Sequence, residues 1–360
     1  MKGRVIQSEL AFAAKMAATV SKDQVRPILA CTKLESRPDA LLVSGTNLED
    51  SFVVDISQWE HQADGAAVVP AELLLECAKS MSDDAVQLSA QNGDVKLLGL
   101  TRTFSLRTMA VDDFPPVEIP KGGTTYPSAN ICRGLRLVQN TAAREPTRYA
   151  ISSIHFFQRN GKLWIETTNG RSGAFFCAGE CKEKIDALIR PQSVPLLLAA
   201  MGRHEDAELL FGKTAMSVRC GGTMASTRLV EGHFPYASDF IKQPSDGAIE
   251  LPVAEFAEAV KTASIGCDPA DSPGVILDFC ADFVMAKSGT GERGEFQATC
   301  NGKGGSAGIT KLNPKYLLPI LQALRAEKVE TIKVDVLEKR RPFRFYADNF
   351  CGAVMPMNME

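Results

Sequence analysis

Two stretches of this chain carry glycine spacings that could cradle a phosphate. Gly289, Gly291 and Gly294 in GTGERG match the Gly-x-Gly-x-x-Gly dinucleotide fingerprint, and NGKGGSAG (301–308) is rich in glycine. The fingerprint works only where a strand leads through the glycines into a helix whose first amides face the pyrophosphate. Here EFQATC follows, a strand-like run, so the glycines are expected to close a hairpin. NGKGGSAG lacks the Gly-Lys-Ser/Thr ending of a phosphate-binding loop. The ten cysteines are scattered singly; the closest pair, Cys177 and Cys181, has no neighbouring histidine. His61, His155, His204 and His233 lie far apart, whereas a zinc site takes four ligands in paired spacings. No metal and no cofactor is therefore expected, and the cysteines read as buried, reduced thiols. No cluster of serine, histidine or carboxylate suggests catalysis, so no catalytic residue is assigned.

The remaining chemistry is that of positive charge. Over 129–144 the spacing predicts a helix with two stripes. Ile131, Leu135, Val138 and Ala142 form an apolar one, and Arg133, Arg136, Asn140 and Arg144 a basic one, with Arg148 and Tyr149 just beyond. Outer helix faces are routinely charged, but they mix signs, and 129–144 contains no acidic residue. Spaced cations of this kind suit phosphate contacts, which give affinity without sequence preference. Arg26 and Lys22, after the first helix-like stretch, are weaker candidates. Lys79, Arg203, Lys261, Arg325 and Lys328 sit among Glu76, Glu205, Glu258 and Glu327, and none of them is assigned.

The elements that position these residues repeat. Helix-like runs follow Pro70 (PAELLLECAKSM), Pro191 (PQSVPLLLAAMG) and Pro314 (NPKYLLPILQALRA), 121 and 123 residues apart. Proline suits a helix start because its missing N–H would be unpaired there. DFPP, HFPY and VMPM place Pro115, Pro235 and Pro356 at intervals of 120 and 121. Strand-to-helix openings recur near residues 4, 126 and 249. Between them, stretches such as KLWIETTNGRSGAFFCAG and GVILDFCADFVMAKSG read as strands with glycine turns. The fold class is α+β, in three tandem domains at 1–122, 123–245 and 246–360, joined by PKGGTTYPS and KQPSDGAIE. At 45% hydrophobic and 23% charged, with net charge −3, the composition is that of a soluble globular protein. No apolar run spans a bilayer and MKGRVIQSEL has no apolar signal core, so a cytoplasmic protein without a membrane partner is expected. The apolar ending CGAVMPMNME is expected to be a final strand rather than a loose tail.

RPIL (26–29), VSGTNLE (43–49), FSLRT with DFP (104–115), GHFP (232–235) and VMPM (354–357), in this order and spacing, resemble the bacterial DNA polymerase III β sliding clamp family. The resemblance covers the whole chain. It implies DNA-clamp domains of the processivity fold, arranged as a head-to-tail homodimer ring. Helices would line the interior and antiparallel sheets the outside, with duplex DNA threading the centre. Such a ring catalyses nothing; it tethers the DNA polymerase III catalytic subunit, the clamp loader and other proteins bearing a clamp-binding motif. On this resemblance Arg26, Arg133, Arg136, Arg144, Arg148 and Tyr149 would face DNA. Ile151, Thr168, Gly170, Arg171, Pro235, Val354, Met355, Pro356 and Met357 would form an apolar pocket for partner peptides, a use that suits methionine's adaptable side chain. Phe104, Leu106 and Ile265 would lie at the dimer interface. Two segments depart from the family pattern. NGRSG (169–173) stands where Asp-Gly-His-Arg-Leu is usual, and YASDF (236–240) lacks the basic residue usual after the Phe-Pro. They motivate an alternative, a second or specialised clamp with altered peptide preference. A non-DNA three-domain scaffold is a further one.

Overall fold

Six times along the chain a short strand runs into a helix. Lys2–Ile6 leads into α1 (Gln7–Val20), Gly65–Pro70 into α2 (Ala71–Ser80), and Thr124–Pro127 into α3 (Ser128–Val138). Asp186–Ile189 leads through the 3-10 turn Pro191–Ser193 into α4 (Val194–Met201), Ile249–Pro252 into α5 (Val253–Ser264), and Gly308–Leu312 into α6 (Pro314–Ala326). Proline marks these junctions: Pro70 and Pro252 occupy the N-cap positions of α2 and α5. Pro314 opens α6 behind Asn313, whose side-chain oxygen accepts from the Lys315 N–H at 3.0 Å. The structure is a computed structural model that describes residues 1–23, 25–143, 150–235, 244–268, 274–289, 294–335 and 341–358. No helix in it is long and apolar enough to cross a membrane.

The chain divides into two compact units, Met1–Cys132 with Gln192–Leu229, and Arg133–Pro191 with Val230–Glu360. In the first, α1 packs on α2 and α4 and buries Leu10, Ala13, Ala14 and Ala17 completely. An eight-stranded sheet runs from Thr124–Pro127 at one edge to Gly65–Pro70 at the other. At its centre Thr223–Arg228 pairs with Asp50–Ile56, from Thr223↔Val54 to Thr227↔Asp50. A five-stranded sheet completes the unit and ends at the edge strand Thr103–Arg107. The second unit repeats the plan. Its eight-stranded sheet runs from Asp186–Ile189 to Ile249–Pro252, and at the centre Ser172–Glu180 pairs with Phe350–Val354. A four-stranded sheet accompanies it, and α5 packs on α6. All these strand pairs are antiparallel.

Three sequence expectations meet the structure here. Strand Phe283–Lys287 pairs with Gln297–Asn301, in register at Lys287↔Gln297, so a strand follows GTGERG where a dinucleotide site needs a helix. The chain's end is tied down as the strand Phe350–Val354. Beyond it Met355 N–H donates to the Arg171 carbonyl at 2.8 Å and Met357 N–H to the Lys311 carbonyl at 2.7 Å. The expected helix over 129–144 is shorter: α3 stops at Val138 and only the 3-10 turn Gln139–Thr141 follows. The cause is local. The Thr167 hydroxyl, from the sheet below, donates to the Val138 carbonyl at 2.6 Å and takes the place of the next helical N–H.

In each unit a hairpin sets a glycine opposite a phenylalanine. Gly45 faces Phe52 and Gly352 faces Phe345, both rings fully buried. A Cβ at 352 would lie 2.3 Å from the Phe345 ring, and one at 45 would lie 2.4 Å from Phe52. Gly352→Ala must displace a core ring, and is expected to cost about 1–3 kcal/mol by overpacking. The urea midpoint measures it, and the double variant Gly352→Ala/Phe345→Leu should recover part of the loss.

Candidate functional site

Strands Lys162–Thr168 and Ser172–Glu180 meet in a tight turn that is built by its own side chains. Asn169 Oδ1 accepts from the N–H groups of Arg171 at 2.9 Å and Ser172 at 2.8 Å. Thr168 Oγ1 donates to the Ser172 carbonyl at 2.7 Å and accepts from Gly170 N–H at 3.1 Å. Gly170 takes φ +81°, a left-handed value that glycine adopts at no steric cost. The turn is thereby a fixed wall. Ser172↔Val354 and Gly173↔Ala353 then bring the end of the chain against it.

A cavity of about 180 Å³ lies at this place, lined largely by apolar groups. Six of the nine residues expected in the pocket line it: Ile151, Thr168, Gly170, Arg171, Pro235 and Met355. Val354 is fully buried beneath it, and Pro356 and Met357 are half-buried and not among the lining residues. The sequence reading missed Ser172, Gly173, Phe175, Pro342 and Ala353. Period-two alternation from the nominated Arg171 and Met355 would have found 173, 175 and 353, since alternate strand residues share a face. Gly173 stands where the family pattern has leucine. A Cβ there would lie 3.0 Å from two atoms of the Phe175 ring, so that ring fills space a larger residue at 173 would take.

The opposite wall ends in Pro235 and is held by a buried polar group. His155, on strand Ile154–Arg159, lies with Nδ1 2.8 Å from Glu166 Oε1 and Nε2 2.8 Å from Asp186 Oδ1. Its ring stacks on Phe157 and also meets Phe234, each at 4.9 Å between centroids. Phe234 directly precedes Pro235, so this histidine fixes the approach of the wall. Burial holds the Glu166 carboxyl above the usual carboxylate range, against the opposing pull of its bond to His155. The segment 236–240, the second departure from the family pattern, lies outside the described residues.

The basic stripe is present but not bare. Arg133 Nη2 lies 3.1 Å from Asp348 Oδ2, in the turn before the final strand. Arg136 forms a two-pronged pair with Glu327 at the end of α6, one prong at 3.2 Å. Arg26 pairs with Asp23 at 3.0 Å; backbone N–H groups of Arg26 and Val25 also reach that carboxylate and hold its pKa below the ordinary value. Arg203 reaches Glu9 at 3.1 Å and stacks over Phe12, and Arg325 meets Glu258 at 2.9 Å. Such exposed pairs contribute only about 0–1 kcal/mol, so a phosphate can compete for the arginine. Arg144, Arg148 and Tyr149 lie outside the described residues.

Phe104 and Leu106 share a face of the edge strand Thr103–Arg107, half-buried and buried respectively. Among the described residues this strand pairs along its length only with Asp94–Leu98, so one backbone row stays open to another chain. Leu98 and Leu100 beside it are 46% and 93% exposed. Ile265, directly after α5, is 61% exposed, an apolar side chain without cover. All ten cysteines are free and eight are buried; burial pushes the thiol of Cys220 up to about 11 and that of Cys300 up to about 12, which makes both poor nucleophiles.

Residues 4–118 match the family model for the N-terminal domain of the DNA polymerase III beta subunit. The chain is 25% identical to the beta sliding clamp of Pseudomonas aeruginosa, an alignment that covers 96% of both chains. It is 21% identical to the beta sliding clamp of Chlamydia pneumoniae over the whole of both. Among solved structures, the DNA polymerase III beta subunit of Thermotoga maritima superposes with a TM-score of 0.88 over all of both chains, at 18% identity. The sliding clamp of P. aeruginosa superposes with a TM-score of 0.87. Over its whole length the chain is thus similar to bacterial beta sliding clamps, and its fold is theirs.

Proposed function

We propose that the protein is a DNA sliding clamp: two chains, each of three domains (1–122, 123–245 and 246–360), close head to tail around duplex DNA in the cytoplasm. The ring tethers the replicative polymerase's catalytic subunit, the clamp loader and other replication and repair proteins. It is a non-catalytic processivity factor, so binding and topology are its whole chemistry. One observation carries the reading beyond these similarities. Segments far apart in sequence, around Ile151, the 168–175 hairpin, Pro235 and Ala353–Met355, converge on one small apolar cavity with a rigid polar rim. A cavity of this kind takes the apolar side chains of a short peptide, with Met355 adapting to different ones. Its presence despite the changed residues at 171–173 supports docking of ordinary clamp partners.

The proposed grip on DNA is electrostatic and loose. Arg133 and Arg136 exchange their carboxylate partners for phosphates, and such contacts form and break as the ring slides. Phe104 and Leu106 on the open edge strand, and Ile265 on the other chain, form the proposed dimer contact. Closing the edge in this way also removes an aggregation hazard.

These proposals yield four measurements. A labelled short peptide bearing an aliphatic–aromatic pair should bind the full chain, and Gly173→Val, which crowds Phe175 and the cavity, should weaken it at least about tenfold. Unchanged affinity in a folded variant would remove the cavity from the function. In solution the mass should be twice the 38.9 kDa chain, and Leu106→Asp should reduce it to the chain mass. Clamps loaded on circular DNA should be retained there and lost when the DNA is linearised; retention on the linear form would sink the topological mechanism. The Arg133→Ala/Arg136→Ala variant should lower the slope of log affinity against log salt by roughly two units.

A further inference from the structure

A line of three side chains connects the two walls of the docking cavity. Glu166 stands opposite His155 on one neighbouring strand and opposite Phe175 on the other. Opposite residues of paired strands share a face, so the three lie side by side on the face that carries the cavity. Phe175 lines the cavity, and the His155 ring packs on Phe234, which directly precedes the lining residue Pro235. The segment that ends in Phe234 and Pro235 is tied to the sheet at its start, where Val230 N–H donates to the Leu188 carbonyl at 2.8 Å. At its other end it rests on the His155 ring.

The two polar contacts of that ring need two protons. Nδ1 lies 2.8 Å from Glu166 Oε1, and Nε2 lies 2.8 Å from Asp186 Oδ1. A neutral imidazole has one N–H and one bare nitrogen, and an ionised carboxylate only accepts. Both contacts are hydrogen bonds only if the ring carries both protons or a carboxyl carries one of them. Burial makes Glu166 the holder: its side chain is 2% exposed and its Oε2 has no partner among the described residues, whereas Asp186 is 77% exposed. Loss of the proton sets a bare nitrogen against a carboxylate, or leaves a buried carboxylate with one oxygen unpaired. Turning the ring or the carboxyl relieves either state, and Phe234 rests on that ring. Of the surrounding charges, Arg159 on the His155 strand favours the ionised Glu166 and Asp186 opposes it. Lys162 on the next strand, and Glu231 and His233 ahead of Phe234, are exposed, and Arg190 beyond Asp186 is half-buried.

We propose that His155 and Glu166 are positioning residues for peptide docking: sharing a proton, they hold Phe234 and through it Pro235 in the wall of the cavity, and docking weakens when that proton is lost. This rests on the docking reading of the cavity and adds a dependence on pH to it. The sign follows from which form holds the wall. Glu166 keeps its proton above the ordinary carboxylate range, so the firm wall belongs to the acid side and loosens as pH rises. An imidazolium between the two carboxylates would give the same sign, since it too loses its proton as pH rises.

The test uses the full chain and a rhodamine-labelled aliphatic–aromatic peptide, capped at both ends and free of ionisable side chains, in fluorescence anisotropy. Between about pH 5 and about pH 9, a range that brackets the ordinary histidine value, affinity should fall about three- to tenfold, the scale of one hydrogen bond. Glu166→Gln, whose amide donates to Nδ1 as the protonated carboxyl does, should keep the acid-side affinity across the whole range. His155→Ala, which takes the ring from under Phe234, should bind more weakly at every pH and without the slope. Cooperative urea transitions show that both variants are folded. A flat profile for the unaltered chain, or a slope that persists in Glu166→Gln, overturns the positioning role, and a persisting slope belongs to an exposed group such as His233. Absence of peptide binding at every pH overturns the docking reading, and the pH coupling falls with it.

Discussion

The pairing of Ser172–Glu180 with Phe350–Val354 is the contact on which the site depends. It joins the middle of the chain to its end, and everything nominated for partner docking is set by its register. With Ser172 opposite Val354, the Arg171 carbonyl receives Met355 N–H, and Gly173 and Ala353 face each other as two small residues. A slip of one residue would exchange the faces of Ala353 and Val354 and put valine where the cavity has alanine. The register is held from both sides. Phe345 over Gly352 and Phe175 over Gly173 each need a glycine at one position on this strand pair or its neighbour. A chain that ended in polar, mobile residues could not provide this strand, which is why the apolar tail stays ordered through Met357.

The same packing accounts for the altered motif. Read as a string, NGRSG loses the histidine, arginine and leucine of the family pattern. In space, Asn169 preserves the turn by accepting two backbone N–H groups, as an aspartate would. The volume missing at Gly173 is occupied by the Phe175 ring, and Arg171 still lines the cavity. Apolar volume from a neighbouring position thus stands beside Gly173, and the cavity is present with the changed residues in its wall.

Much of this was legible in the sequence. Periodicity located all six helices, because each buries one face and proline marks most of their starts. Strand alternation identified the run after GTGERG as a strand, and Gln297–Asn301 is one. Two things were out of reach. The end of α3 at Val138 is imposed by Thr167, a residue 29 positions away that a local pattern does not contain. The acids that pair with Arg133 and Arg136 are Asp348 and Glu327, about 200 residues downstream; inspection of 129–144 found no carboxylate because the relevant ones arrive by folding. Likewise Ser172, Phe175 and Ala353 were missed as pocket residues because motif matching reads positions, whereas a cavity is assembled from the face that the register exposes.

The paired arginines bear on how a protein holds DNA without stopping on it. A row of bare cations would bind phosphates tightly and with a strong salt dependence, and each step along the duplex would cost the full release of those contacts. Carboxylates 3 Å away change the reference state of the proposed grip: Arg133 on leaving a phosphate would return to Asp348, and Arg136 to Glu327. The difference in energy between bound and unbound arginine is then small in either direction, because exposed ion pairs and single phosphate contacts are of similar strength. Net charge points the same way. At −3 the chain as a whole adds no general attraction to DNA, which fits the proposed retention by closure. A weak grip with local return partners suits a topological tether, and the acids beside the basic stripe are consistent with that proposed role.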